Sequence, residues 1–144
     1  MNVRDCMSSD VRTIAPDATV QDAARLMKAL DAGAIPVGEN DRLVGMITDR
    51  DIAIRCIADG KGPSTTVREA MTTADLQFIF EDDDLQEASA RMSDHKVRRL
   101  PVLNRNKQLV GIIALGDIAQ VQAGNGTGAA LSAISRPGGQ HVQV

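Results

Sequence analysis

The sequence predicts an α+β fold built from two copies of one unit, each running strand, helix, strand, strand, helix. Three observations predict it. The segment GMITDRD at residues 45–51 returns in weakened form as GIIALGD at residues 111–117. The tetrapeptides Ala34-Ile35-Pro36-Val37 and Arg99-Leu100-Pro101-Val102 stand ahead of those segments in the same order. Before each tetrapeptide lies a stretch with apolar residues at helical spacing, so the chain states one structural unit twice.

Composition bounds what such a chain can be. At 144 residues, 43% hydrophobic and 24% charged, it has the balance of a soluble globular protein with one domain or two small halves. Phe78 and Phe80 are its only aromatics, so the core must be aliphatic. A net charge of -3 and the lack of stacking platforms argue against nucleic acid as a partner. No apolar run reaches the ~18 residues that span a bilayer and no secretory leader is recognisable, so the expectation is a cytoplasmic protein with no membrane partner. Cys6 and Cys56 form no CxxC pair and read as reduced, small hydrophobes, and with His95 and His141 they give a structural metal site weak support, so none is expected.

In chain order, Val3-Arg4-Asp5-Cys6-Met7 returns as Val67-Arg68-Glu69-Ala70-Met71, 64 residues later, and both read as a short helical turn leading into a unit. Residues 11–14 and 76–80 follow as short extended segments. The first helix is expected over residues 19–30, with Val20, Ala23, Ala24, Met27 and Leu30 on one face and Thr19 with Asp22 as a capping box. Asp84 and Glu87 take those places in the second copy, with Leu85, Ala88 and Met92 as its apolar face. The acidic run at residues 81–84 is read as charge suited to a helix start rather than as a metal site.

Proline inside each tetrapeptide predicts a short strand at an edge or irregular position. Polar turns at residues 39–42 and 104–108, the second one residue longer, lead to strands at 43–47 and 109–113. Closing helices are expected at 49–59 and 115–123. The domain reading is repeat 1 over residues 1–62, repeat 2 over 63–123, and a loosely held tail over 124–144 with a short helix near 129–134.

Two IPV or LPV strands and a twice-repeated LVG-apolar-apolar segment leading to T-x-x-D, in register over residues 3–123, resemble the cystathionine β-synthase (CBS) domain. The organisation resembles free-standing bacterial two-CBS proteins of stress or hypoxic responses. That resemblance implies two pseudo-twofold-related repeats packed sheet to sheet as one module, with sites for adenosine-containing ligands in the cleft between repeats. It also implies that the aspartate of T-x-x-D takes ribose hydroxyls, that the threonine lies near phosphate, and that residues before the L-P-V strand of the other repeat reach the phosphates.

On that basis the first site is expected to use Thr48, Asp51, Arg98 and Arg99, since a carboxylate accepts from vicinal hydroxyls and guanidinium groups fork onto phosphate oxygens. Arg50 and His95 are candidate neighbours of the nucleotide, and Ile14, Ala34 and Pro36 are expected to face the base. The second site keeps Asp117 beside Pro101 but has Ala114 for the threonine, and it meets Gly33 and Ala34 where the first meets arginines. It is therefore expected to be degenerate, without fixed positive charge for a phosphate.

A plainer reading competes: T-x-x-D at a strand-to-helix junction is also a capping box that implies no ligand. No nucleophile stands beside a histidine and no GxSxG or P-loop occurs, so an enzyme is not expected. The leading expectation is a non-catalytic sensor of an adenine nucleotide (AMP, ADP or ATP ahead of NAD or S-adenosylmethionine) requiring no cofactor. The alternative is a stress-related interaction or scaffold protein that binds no nucleotide. The resemblance further implies a homodimer through the apolar helices at 52–57 and 118–121, and an unidentified protein effector.

Overall fold

A computed structural model describes residues 1–124 of the chain; the expected tail with its short helix lies outside the described residues. The fold is α+β, with two small sheets and short helices. Two compact units divide the described residues: one holds residues 12–76, the other residues 1–11 together with residues 77–124.

The unit of residues 12–76 begins with extended chain at Ile14. Helix α1 (Val20–Leu30) starts at Thr19, whose hydroxyl accepts from the Asp22 amide at 3.1 Å while the Asp22 carboxylate accepts from the Thr19 amide, the expected capping box. Val20, Ala23 and Met27 are buried at spacings of three and four, whereas Ala24 and Leu30, expected on the same face, flank the stripe and are exposed. Strands β1 (Ala34–Glu39) and β2 (Arg42–Thr48) pair antiparallel. Asn40 and Asp41 both have positive φ at the tip of that hairpin (55° and 63°), the twist a two-residue turn needs to match its strands.

Beyond β2, helix α2 (Asp49–Asp51) widens at once into a π-helical segment, Ile52–Ile57. Helix α3 (Val67–Ala70) closes the unit, and its Val67, Ala70 and Met71 complete a core with Ile14, Ile35, Val37, Ile47 and Cys56.

The second unit repeats the plan. Strand β3 (Ile79–Phe80) runs parallel to β4 (Arg99–Leu103), which pairs antiparallel with β5 (Leu109–Ala114). Between β3 and β4 lies helix α4 (Leu85–His95), and α5 (Leu115–Gly124) follows β5. Asp84 caps α4 by accepting from the Gln86 amide at 3.2 Å, but no capping box forms: Glu87 turns along the helix to Arg91, 3.3 Å away, as an i,i+4 ion pair. Within the acidic run, Asp82 and Asp83 hold Arg105, whose guanidinium lies 4.1 Å from the centre of the Phe80 ring. The core gathers Ile79, Ala88, Met92, Leu100, Val102, Ile113 and Ile118 around Val3, which sits in a 3-10 turn (Val3–Asp5).

The proline strands are not edges. β4 is the central strand of its sheet, and β1 bonds to β2 on one side and to Ile14 on the other. In β1 the ladder on the Ile14 side begins with the Pro36 carbonyl, which accepts from the Ile14 amide at 3.1 Å. Proline's missing donor thus stands where the ladder starts and leaves no bond unmade.

Each lead-in turn packs in the unit of the other sequence repeat. The amide and carbonyl of Met46 exchange bonds with those of Thr72 at 2.9 and 2.8 Å, and Ile112 does the same with Ser8 at 2.9 Å both ways. Gly45 and Gly111 permit this approach. A Cβ at Gly111 would lie 2.7 Å from both the Met7 sulfur and the Ser8 carbonyl oxygen, and one at Gly45 would lie 2.8 Å from the Met71 sulfur and 3.0 Å from the Thr72 carbonyl oxygen. Gly111→Ala is expected to cost about 2 to 3 kcal/mol in urea denaturation, and Gly45→Ala less, because its Cβ would stand 3.0 rather than 2.7 Å from the paired carbonyl, while the thioether in each case is flexible. Equal losses at the two positions would contradict this account.

Candidate functional site

The strand-to-helix turn at the end of β2 carries the densest polar cluster of its unit. Thr48 is still extended (φ -118°, ψ 161°) when Asp49 begins the helix, so its hydroxyl faces the free amides. Thr48 Oγ1 accepts from the Asp51 amide and Asp51 Oδ2 accepts from the Thr48 amide, both at 3.0 Å. The Thr72 hydroxyl donates to the same carboxylate, 3.3 Å from Oδ1 and 3.4 Å from Oδ2. Arg55 Nε lies 3.9 Å from Asp51 Oδ1, while its Nη1 donates to the Met71 carbonyl at 3.0 Å. The Asp51 side chain is only 13% exposed, so protein groups surround most of it.

Thr72 and Arg55 were not among the residues expected here. The signal for Thr72 is present, since a hydroxyl residue follows methionine in both lead-in turns, Met7-Ser8 and Met71-Thr72. Arg55 stands four residues after Asp51, the spacing of an ion pair along a helix.

The turn at the end of β5 has the same frame and different chemistry. The Leu115 amide donates to the Arg98 carbonyl at 2.8 Å, as the Asp49 amide does to the Gly33 carbonyl at 3.0 Å. Asp117 Oδ2 accepts from the Ala114 amide at 2.9 Å, but alanine offers no hydroxyl in return. Ser8, the counterpart of Thr72, accepts from the Asp10 amide at 3.3 Å instead of meeting the carboxylate. Burial pushes the Asp117 carboxyl above its ordinary range, opposed by the Ala114 N–H and by the positive charge of Arg99. Arg99 pairs in register with Ala114 across β4 and β5, which places a guanidinium of the same unit near Asp117.

The remaining expected residues fall in two groups. Ala34 is half-buried and pairs with Thr48 across the hairpin, Arg50 is exposed on α2, His95 is the exposed last residue of α4, and Arg98 is exposed just before β4. Ile14, Pro36 and Pro101 are core residues: Ile14 is 8% exposed, Pro36 is fully enclosed, and Pro101 pairs with Ile112 inside its sheet. Of the expected dimer surface, Ile54 and Ile57 are exposed, but Ile118 and Ala119 are buried within their own unit, because α5 lays that face on the unit's core. Both cysteines are free thiols, no group of three or more metal-ligating side chains occurs among the described residues, and no described helix is long and apolar enough to cross a membrane.

Comparison with known proteins decides the family. The profile of the CBS domain matches residues 3–56 and again 63–124. The chain belongs to the CBS-domain family. It is 47% identical over 135 residues to the CBS domain-containing protein YhcV of Bacillus subtilis, covering 93% of this chain and 95% of that one. Among solved CBS structures, Hypoxic Response Protein I with two coordinated zinc ions superposes with a TM-score of 0.74 at 38% identity, over 83% of this chain and 98% of that one. CBSX2 in complex with AMP gives 0.74 at 25% identity, over 87% and 98%. The family's two matches and the two compact units partition the chain differently, since each lead-in turn is counted with one CBS repeat in sequence and packs with the other in space.

The raised Asp117 carboxyl has a testable sign. Its protonated form is favoured by folding, so the ionised group costs stability at neutral pH, and the cost fades as pH falls toward the ordinary carboxylate range near ~4. Asp117→Asn keeps an acceptor for the Ala114 amide and removes the charge. Thermal denaturation is expected to show a higher midpoint for the variant at pH 7 and a shrinking difference toward pH ~4. A variant less stable than the parent at pH 7 would mean that attraction to Arg99 outweighs burial.

Proposed function

We propose that this CBS protein is a non-catalytic regulatory module that binds an adenosine-containing ligand, with AMP, ADP or ATP ahead of NAD and S-adenosylmethionine. One observation carries the reading: a carboxylate stands beside the first amides of a helix at the end of each hairpin, at Asp51 and at Asp117. A carboxylate there can accept from both vicinal hydroxyls of a ribose, while helix-start amides favour an anion nearby. The AMP complex of CBSX2 supports the ligand class.

In this reading Asp51 takes the ribose, Thr48 lies toward the phosphate, and Arg98 and Arg99 supply guanidinium groups to it, with Arg50 and His95 as neighbours and the base against the chain around Ile14, Ala34 and Pro36. The Asp117 turn, with Ala114 and Pro101, takes an uncharged adenosyl moiety at most. No cofactor is required, the protein works in the cytoplasm as a homodimer through the exposed Ile54 and Ile57, and it acts on a protein effector by differential affinity for two conformations.

A second reading has its own support. Asp51 already accepts from Thr48 and Thr72 without any ligand, which suits a purely structural box in an interaction protein that binds no nucleotide.

Isothermal titration calorimetry of nucleotide-stripped protein against AMP, ATP, NAD and S-adenosylmethionine separates the two. The proposed function expects saturable binding of AMP or ATP near one ligand per chain, lost in Asp51→Ala and weakened roughly ten-fold or more by replacing Arg98 and Arg99 with alanine. No heat from a folded, stripped protein would favour the interaction reading, in which Asp51→Ala costs only the ~1 kcal/mol of a cap.

A further inference from the structure

The two carboxylates are equivalent in the repeat and unequal in what they hold. Asp51 is met by the Thr72 hydroxyl at both oxygens and by Arg55, while its counterpart Asp117 is met by one amide. The difference lies in the side chains alone. The backbone of Thr72 is fixed to Met46 by two bonds, and that of Ser8 to Ile112 by the same two. Threonine at position 72 therefore delivers a hydroxyl to the carboxylate oxygens, where serine at position 8 delivers none to Asp117.

The Thr72 hydroxyl, with its one proton between the two carboxylate oxygens, stands where a ribose hydroxyl would have to donate. We infer that Thr72 is an internal competitor for the ribose-accepting oxygens of Asp51 and thereby sets the affinity of the repeat 1 turn. The inference rests on the reading of Asp51 as a ribose acceptor. A contact made only in the ligand-free chain must be given up on binding, so it subtracts from the observed affinity.

The test is calorimetric titration of AMP into the full chain carrying Thr72→Val, Thr72→Ser or Asp51→Ala. Valine keeps the β-branched shape and the strand pairing with Met46 but has no hydroxyl, so binding is expected to tighten roughly three- to ten-fold, the worth of one hydrogen bond. Serine at position 72 is expected to tighten binding as well, because serine in the same frame at position 8 gives its carboxylate no hydroxyl, and tighter binding is what a merely structural role for Thr72 would not produce. Unchanged or weaker binding by Thr72→Val, with binding lost in Asp51→Ala, overturns the competitor and leaves the site reading intact. Binding retained by Asp51→Ala overturns the site reading itself, and the competitor with it.

Discussion

Backbone pairing between each hairpin and the lead-in segment is the constraint on which the rest of the structure depends. Met46 with Thr72 and Ile112 with Ser8 add a strand-like edge to β2 and β5. Those bonds require the segment to pass over a residue with no side chain, Gly45 or Gly111. Once seated, the segment brings its apolar residues into the core: Val67, Ala70 and Met71 in one unit, Val3 in the other. Removing the glycine would push out the same residues that complete the hydrophobic centre. Pairing and burial therefore succeed or fail together.

That constraint also determines what stands beside each functional turn. A lead-in residue held against the middle of β2 or β5 lies close to the start of the following helix. In one unit it is Thr72, which reaches Asp51; in the other it is Ser8, which bonds to its own segment. Four of the differences between the turns bear on the carboxylates: Thr48 against Ala114, Thr72 against Ser8, Arg55 against Val121, and Ala34 against Arg99. The first three give Asp51 more partners than Asp117 has. The fourth places a guanidinium opposite Ala114 and gives the barer carboxylate its compensating charge.

Much of this was legible in the sequence, and the failures share a cause. Helix α1 and its capping box, the hairpins, the inserted residue in the second turn and the Thr48–Asp51 box are local, and local patterns of capping and periodicity identify them. What stayed hidden is non-local. Spacing along the chain does not say that residues 67–72 pack with the hairpin before them, that β4 is central, or that Arg99 acts on Asp117. The capping box expected of Asp84 and Glu87 failed because Arg91 offered Glu87 a closer partner, and Ile118 looked like surface because its helix was read without the core beneath it.

A cap does not use up the carboxylate of a T-x-x-D box. The Thr48 amide uses one lone pair of Asp51 Oδ2, and a carboxylate has about four acceptor positions. The cap therefore leaves capacity on both oxygens, part of which the single hydroxyl proton of Thr72 takes, at 3.3 and 3.4 Å. Those distances lie at the long end for a hydroxyl donor, whose optimum is nearer ~2.7 Å, so the contact is weaker than one a free ligand hydroxyl could adopt. Asp117 has the same spare capacity, but the cost of its burial is opposed by the Ala114 amide and the charge of Arg99 rather than by a hydroxyl. Of the two carboxylates, Asp51 is the one that the chain itself supplies with a hydroxyl, and Asp117 the one that it leaves to a single amide and a nearby guanidinium.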